Sequence, residues 1–95
     1  MIHSITIQTT KRNQLIDITN DIKKLIDHYK LVNGYLIVFV PHTTAAVTIN
    51  EGADPDVADD IIETMKRLIP MNNSFKHVEG NSDAHIKTSL FGASE

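Results

Sequence analysis

Residues 35–40 read Tyr-Leu-Ile-Val-Phe-Val, set between Asn33-Gly34 and Pro41. This run is β-branched and aromatic, apolar at every position, and too short for a buried helix. A strand of that kind is covered on both faces. Pro41 removes a ladder donor and ends it. The flanking sequence supplies shorter strand candidates. "HSITIQT" alternates, with Ile5 and Ile7 on one face and Ser4 and Thr6 on the other. "QLIDI" and "AAVTI" are two more.

Three helices fit around these runs. Thr19 is a candidate N-cap, Asp21 meets the positive end of the dipole, and Ile22, Leu25, Ile26 and Tyr29 form one stripe. Asn33-Gly34 supplies the left-handed residue that ends this helix. The clearest helix is "DPDVADDIIETMKRLIP". Asp54 caps it, Pro55 is its first residue, and Lys66 and Arg67 lie in its last turn. Val57, Ile61, Met65, Leu68 and Ile69 make its buried stripe, and Pro70 stops it. "MNNSF" is a loop. A short third helix spans "DAHIKTSLF", capped by Asp83 or Ser82, with Ile86 and Leu90 facing inward. The order of elements predicts an α+β fold, a single domain over residues 1–95. Tyr29, Phe39, Phe75 and Phe91 are assigned to its core.

Composition excludes several functions. The chain has no cysteine, so disulfides and thiolate metal sites are out, and any metal must rest on His, Asp, Glu or carbonyl oxygens. Nine Lys and Arg in a chain of net charge −3, with no basic run among aromatics, argue against nucleic acid. The apolar run of six is far too short to span a bilayer, and "MIHSITIQTTKR" has no signal-peptide core. A cytoplasmic protein with no membrane role is expected.

Two polar blocks carry the chemistry. The first follows Pro41. His42 sits at a strand end, where scaffolds present functional groups, and Thr43 and Thr44 can orient an imidazole or bind a phosphate oxygen. Asn50 and Glu51 close the next strand. Asp54 resembles one half of a metal-diphosphate pair, although helix capping explains it equally well, and capping is the better account of Asp56, Asp59 and Asp60. The second block, "HVEGNSDAH", holds His77, Glu79, Asn81, Asp83 and His85 within nine positions. Gly80 permits a tight turn through which His77 and His85 can converge. With His42 they make three imidazoles, the donor set of one kind of catalytic zinc centre, with carboxylates to orient the rings. His3 and His28 stand apart and read as structural or solvent-facing.

"HTTAAVTINEGADPDVADDI" together with "HVEGNSDAHIKTSLFGAS" resembles the YjbQ family, whose members carry the label secondary thiamine-phosphate synthase. The likeness covers essentially the whole chain and is tightest in those two blocks. It implies a compact sandwich, a mixed or antiparallel sheet packed with two main helices and a short third. It also implies a homotrimer and a weak thiamine-phosphate synthase activity. Its polar signature falls on His42, Thr43, Thr44, Asn50, Glu51, Asp54, His77, Glu79, Asn81, Asp83 and His85. Family members continue into further strands bearing a Gly-Thr-Trp-Gln element and a Gly-Pro-Arg segment. This chain has no tryptophan and ends at Glu95, so the resemblance implies that those closing strands are lacking.

Three functions follow as expectations. The first, implied by the resemblance, joins hydroxymethylpyrimidine diphosphate to thiazole phosphate. His42, Asn50, Glu51 and Glu79 are its catalytic candidates, and Thr43, Thr44, Asp54, Asn81 and Asp83 its substrate contacts. His42, His77 and His85 are the candidate metal ligands. A His-rich centre suits zinc or another transition metal, whereas diphosphate chemistry commonly uses Mg²⁺. The second is a metal-dependent hydrolase of a small phosphorylated substrate. The third is a non-catalytic trimeric binder of small molecules or anions.

Overall fold

A computed structural model describes residues 1–91. It contains three helices: α1 (Thr19–His28), α2 (Pro55–Leu68) and α3 (Ser82–Leu90). Among the described residues there is no strand. The expected α+β sandwich, with a mixed or antiparallel sheet, is therefore corrected to three helices joined by irregular chain. The reason lies in what makes a strand. β-propensity reports packing against neighbours on a pleated surface, and an apolar run becomes a strand only beside a ladder partner. The run taken for a doubly covered strand is instead open: Tyr35 is 103% exposed, Ile37 73% and Phe39 64%. Phe39 is thus not core, and Ile49, at the end of "AAVTI", is 99% exposed.

The chain forms two compact units, Met1–Tyr35 and a second beginning at Leu36. In the first, α1 presents Ile22, Leu25 and Ile26 as its half-buried stripe. Its start differs from expectation. Ile18 occupies the cap position, and Asp17 does the work assigned to Thr19, accepting from the Thr19 N–H at 2.9 Å. Its end differs too. Lys30 (φ +53°), not Gly34, takes the left-handed position, and Leu31 N–H donates to the Ile26 carbonyl at 3.1 Å. That six-to-one bond is a Schellman closure. His3 Nδ1 lies 3.4 Å from the Tyr29 hydroxyl, and His28 packs edge-on against the same ring, so both imidazoles are exposed structural partners of Tyr29.

In the second unit α2 follows its sequence signals closely. Asp54 accepts from the Asp56 N–H at 2.9 Å and Pro55 is the first helical residue. Ile69 N–H donates to the Met65 carbonyl at 2.9 Å, and Pro70 follows. Val57, Ile61 and Met65 are half-buried and Ile69 is buried, but Leu68 is 67% exposed and leaves the stripe. Among the described residues Ile69 is the one buried apolar side chain. α3 departs furthest. Its inward face carries Asp83 and Lys87, at 1% and 8% exposure, while Ile86 and Leu90 are exposed. Asn81, rather than Ser82 or Asp83, holds the cap position. No helix among the described residues is long and apolar enough to cross a membrane.

Asp17 gives this fold a testable acid dependence. Hydrogen bonds from the Thr19 hydroxyl and N–H, with Lys23 nearby, hold its carboxyl below the ordinary aspartate value of 3.8. A depressed folded value contributes stability that is present above the unfolded value and lost as pH falls through the folded one. α1 helicity, followed by circular dichroism, should therefore decline as pH drops below about 4. Asp17→Asn should lower helicity at neutral pH and flatten that decline.

Candidate functional site

The second unit holds the polar residues singled out by sequence, and they separate into two groups by what their side chains already do. Glu51 is engaged locally. Its Oε1 accepts from the Ala53 N–H at 3.2 Å and the Asp54 N–H at 3.3 Å, and its own N–H donates to Asn50 Oδ1 at 2.7 Å. Together with the Asp54 cap, these bonds build the turn that launches α2. Capping is thus the visible role of Asp54, and turn-building that of Glu51 and Asn50. His42 lies just before a bend at Thr43 and Thr44, and all three are exposed.

The second group surrounds the start of α3. A turn closes from His77 to Gly80, with the Gly80 N–H donating to the His77 carbonyl at 3.2 Å and Gly80 at φ +72°. That positive φ is one a side chain resists, which explains glycine at this position. The turn brings the His77 ring edge-on to the His85 ring, with centroids 5.4 Å apart. Glu79 Oε2 stands 3.9 Å from His77 Nε2. Asn81 accepts from the Ala84 and His85 N–H groups through its backbone carbonyl, while its side-chain Oδ1 is buried without a hydrogen-bond partner. A buried unpaired carbonyl costs about 1–3 kcal/mol and calls for a donor.

Asp83 lies beneath this surface. Its Oδ2 accepts from Lys87 Nζ at 3.0 Å, one turn along α3. At 3.6 residues per turn, a helix with residues 83 and 87 inward places residue 85 about half a turn away, on the face where His77 stands. The pair therefore sets the helix rotation that brings the imidazoles together. Asp83 is thereby anchored within α3.

Sequence reasoning missed a third element. A depression of about 400 Å³ is lined by Met71, Asn72, Asn73, Ser74, Phe75, His77 and Gly80. Three neutral polar residues thus share a concavity with one of the imidazoles. Their signal was hidden because Asn-Asn-Ser is ordinary turn composition. The one hint in the backbone is Ser74, which adopts φ +53°. A non-glycine residue held there costs roughly 1 kcal/mol or more and often marks a functional loop.

The metal expectation meets a specific geometry. His77 and His85 are paired, but no group of three or more His, Asp or Glu among the described residues is arranged to hold a metal ion. The edge-on imidazole pair and Glu79 alone do not fit a zinc or Mg²⁺ donor set.

A family profile described as UPF0047 protein YjbQ-like matches residues 3–95. The chain belongs to the YjbQ-like UPF0047 family. A UPF0047 protein of Methanocaldococcus jannaschii is 52% identical over 95 residues, covering 100% of this chain and 69% of the relative. The UPF0047 protein YugU of Bacillus subtilis is 40% identical over 96 residues, covering 100% and 73%. Among solved structures, an uncharacterized conserved protein of the YjbQ/UPF0047 family from Clostridium acetobutylicum shares 50% identity at a TM-score of 0.87. That likeness covers 94% of this chain and 69% of the other. The likeness of this YjbQ-like chain to its family thus extends from sequence to the trace of the backbone.

The buried pair can be tested by a double-mutant cycle in urea. Lys87→Met alone should destabilise by about 3–5 kcal/mol, because it leaves Asp83 charged and buried. Asp83→Leu combined with Lys87→Met should recover most of that loss, since an apolar pair of similar volume is often as stable. Single and double variants that lose equal stability would separate the helix from this pair.

Proposed function

We propose that the imidazole pair of the second unit binds the phosphate or diphosphate of a small phosphorylated molecule. The reaction it serves, on this reading, is of the thiamine-phosphate synthase type. The observation that carries the reading is the shared depression. His77 stands in it beside Asn72, Asn73 and Ser74, with His85 at 5.4 Å. Imidazole N–H, amide and hydroxyl groups are all donors suited to anionic oxygens. Lys76, next to His77 in sequence, adds a positive charge on an exposed side chain.

In such a transfer the thiazole nitrogen attacks the methylene carbon of hydroxymethylpyrimidine diphosphate. A C–N bond forms, the C–O bond breaks, and diphosphate departs with the electron pair. Donors fixed around the leaving group stabilise the charge as it develops. The contribution assigned to this chain is that stabilisation by His77 and His85, with Glu79 orienting His77. A homotrimer and a cytoplasmic setting complete the proposal, the latter because phosphorylated substrates of this class do not cross membranes unaided.

A non-catalytic anion binder is the second reading, and one observation favours it. Glu51, a candidate proton acceptor, already accepts from two backbone N–H groups. The two readings part in one experiment. Diphosphate should perturb the His77 and His85 ring resonances in a proton NMR titration, and His77→Ala with His85→Ala should abolish that response. Given hydroxymethylpyrimidine diphosphate and thiazole phosphate, the protein should form thiamine phosphate, detected as thiochrome, and each single histidine variant should lose at least about tenfold in rate. Binding without product would leave the anion-binder reading. No ring response would remove both. Sedimentation velocity tests the assembly, with a trimer expected and a stable monomer refuting it.

A further inference from the structure

The dipeptide Asn33-Gly34 is released from the task its sequence suggests. α1 closes through Lys30 and Leu31, and Asn33 and Gly34 form a separate bend shortly before the first unit ends at Tyr35. Both residues are exposed, and the flanking Val32 and Tyr35 are almost wholly so. Among the described residues no hydrogen bond uses the Gly34 N–H or the Asn33 side chain. No other asparagine of the chain precedes a glycine.

An asparagine placed in this way reacts with its own backbone. The nucleophile is the nitrogen of the next residue and the electrophile is the side-chain amide carbon, Cγ. A side chain on the next residue ordinarily crowds that nitrogen, and a hydrogen bond from it fixes it in place. Gly34 has neither. Beyond its chain neighbours, no atom lies within 4 Å of where a Gly34 Cβ would stand. Its φ of +137° is backbone that glycine adopts freely and other residues resist, so the bend itself keeps a side chain away from the nitrogen.

We propose that Asn33 is a self-modification site, which converts through a cyclic imide with Gly34 to aspartate and isoaspartate. The Gly34 nitrogen gives up its proton to hydroxide and forms a bond to Asn33 Cγ. The Cγ–Nδ2 bond breaks, and Nδ2 leaves as ammonia with that electron pair and a proton from water. Water then opens the imide. Attack at Cγ breaks its new bond to the Gly34 nitrogen and gives aspartate on an unaltered main chain. Attack at the Asn33 backbone carbonyl carbon breaks the original peptide bond and gives isoaspartate, whose main chain runs through Cγ. The balance is one water consumed and one ammonia released. Either product adds a negative charge to this exposed bend, and isoaspartate also lengthens its main chain by a methylene. The free α-carboxylate of the isoaspartyl form is the group that protein isoaspartate carboxyl methyltransferases recognise. The site is in the first unit and stands independently of the proposed phosphate site in the second.

The test ages the intact 95-residue chain in mildly alkaline buffer beside a synthetic peptide of residues 29–38. Peptide mapping by mass spectrometry should find amide-to-acid conversion at residue 33 ahead of Asn72 and Asn73, which are exposed but lack a following glycine. An isoaspartate carboxyl methyltransferase with a labelled methyl donor should label the aged chain, and Asn33→Gln should lose that label. An exposed bend with no bond to break needs no local unfolding to react, so the chain should convert at a rate within about tenfold of the peptide's. A slower rate means that the fold protects Asn33 and overturns the proposal. So does earlier conversion at Asn72 or Asn73, or labelling that Asn33→Gln leaves undiminished.

Discussion

The Asp83–Lys87 ion pair is the constraint on which the candidate site depends. Burying two charges is expensive, and the cost is offset only when each meets the other at close range with further hydrogen bonds. At 3.0 Å and nearly full burial, this pair meets the distance condition. Its consequence is rotational. With 83 and 87 inward, α3 cannot turn without exposing the pair's partners and burying others. His85 is consequently held toward His77, and Asn81 is held at the helix start with its side-chain oxygen enclosed. Polar anchoring of this helix is what an apolar stripe provides for α2.

The two helices of the second unit thus illustrate two ways of fixing orientation. α2 is amphipathic in the ordinary sense, launched by Asp54 and Glu51 and stopped near Pro70. Its apolar face is half-covered and borders an open groove. α3 is held by charge, and its larger apolar residues, Ile86 and Leu90, stay exposed. Helices of these two kinds, around few buried residues, leave apolar side chains such as Ile86 and Leu90 at the surface.

Much of the site was legible residue by residue. "HVEGNSDAH" drew notice through its histidines, and Gly80 was the visible reason for them to converge. Asp83 was legible as important but not as an anchor, because a carboxylate early in a helix has the same spacing whether it caps or pairs with residue 87. Asn72, Asn73 and Ser74 were not legible, since turn residues look alike whether or not they line a pocket. The absence of strands at these runs among the described residues has a more basic reason. "YLIVFV" and "AAVTI" have every compositional property of strands, but a ladder is a property of two segments, and neither composition nor alternation names the second.

What the sequence by itself determined is local: the three helices, the cap at Asp54, the stop near Pro70, the turn at Gly80 and the exclusion of thiolate chemistry. Each depends on contacts within a few residues, which backbone sterics and short-range hydrogen bonds decide. The tertiary structure alone decided which face of α3 is buried, which imidazoles meet and which polar loop joins them. It also decided that strand-like runs stay unpaired. Those outcomes depend on groups distant in sequence, and their energies exist only once the chain has brought those groups together.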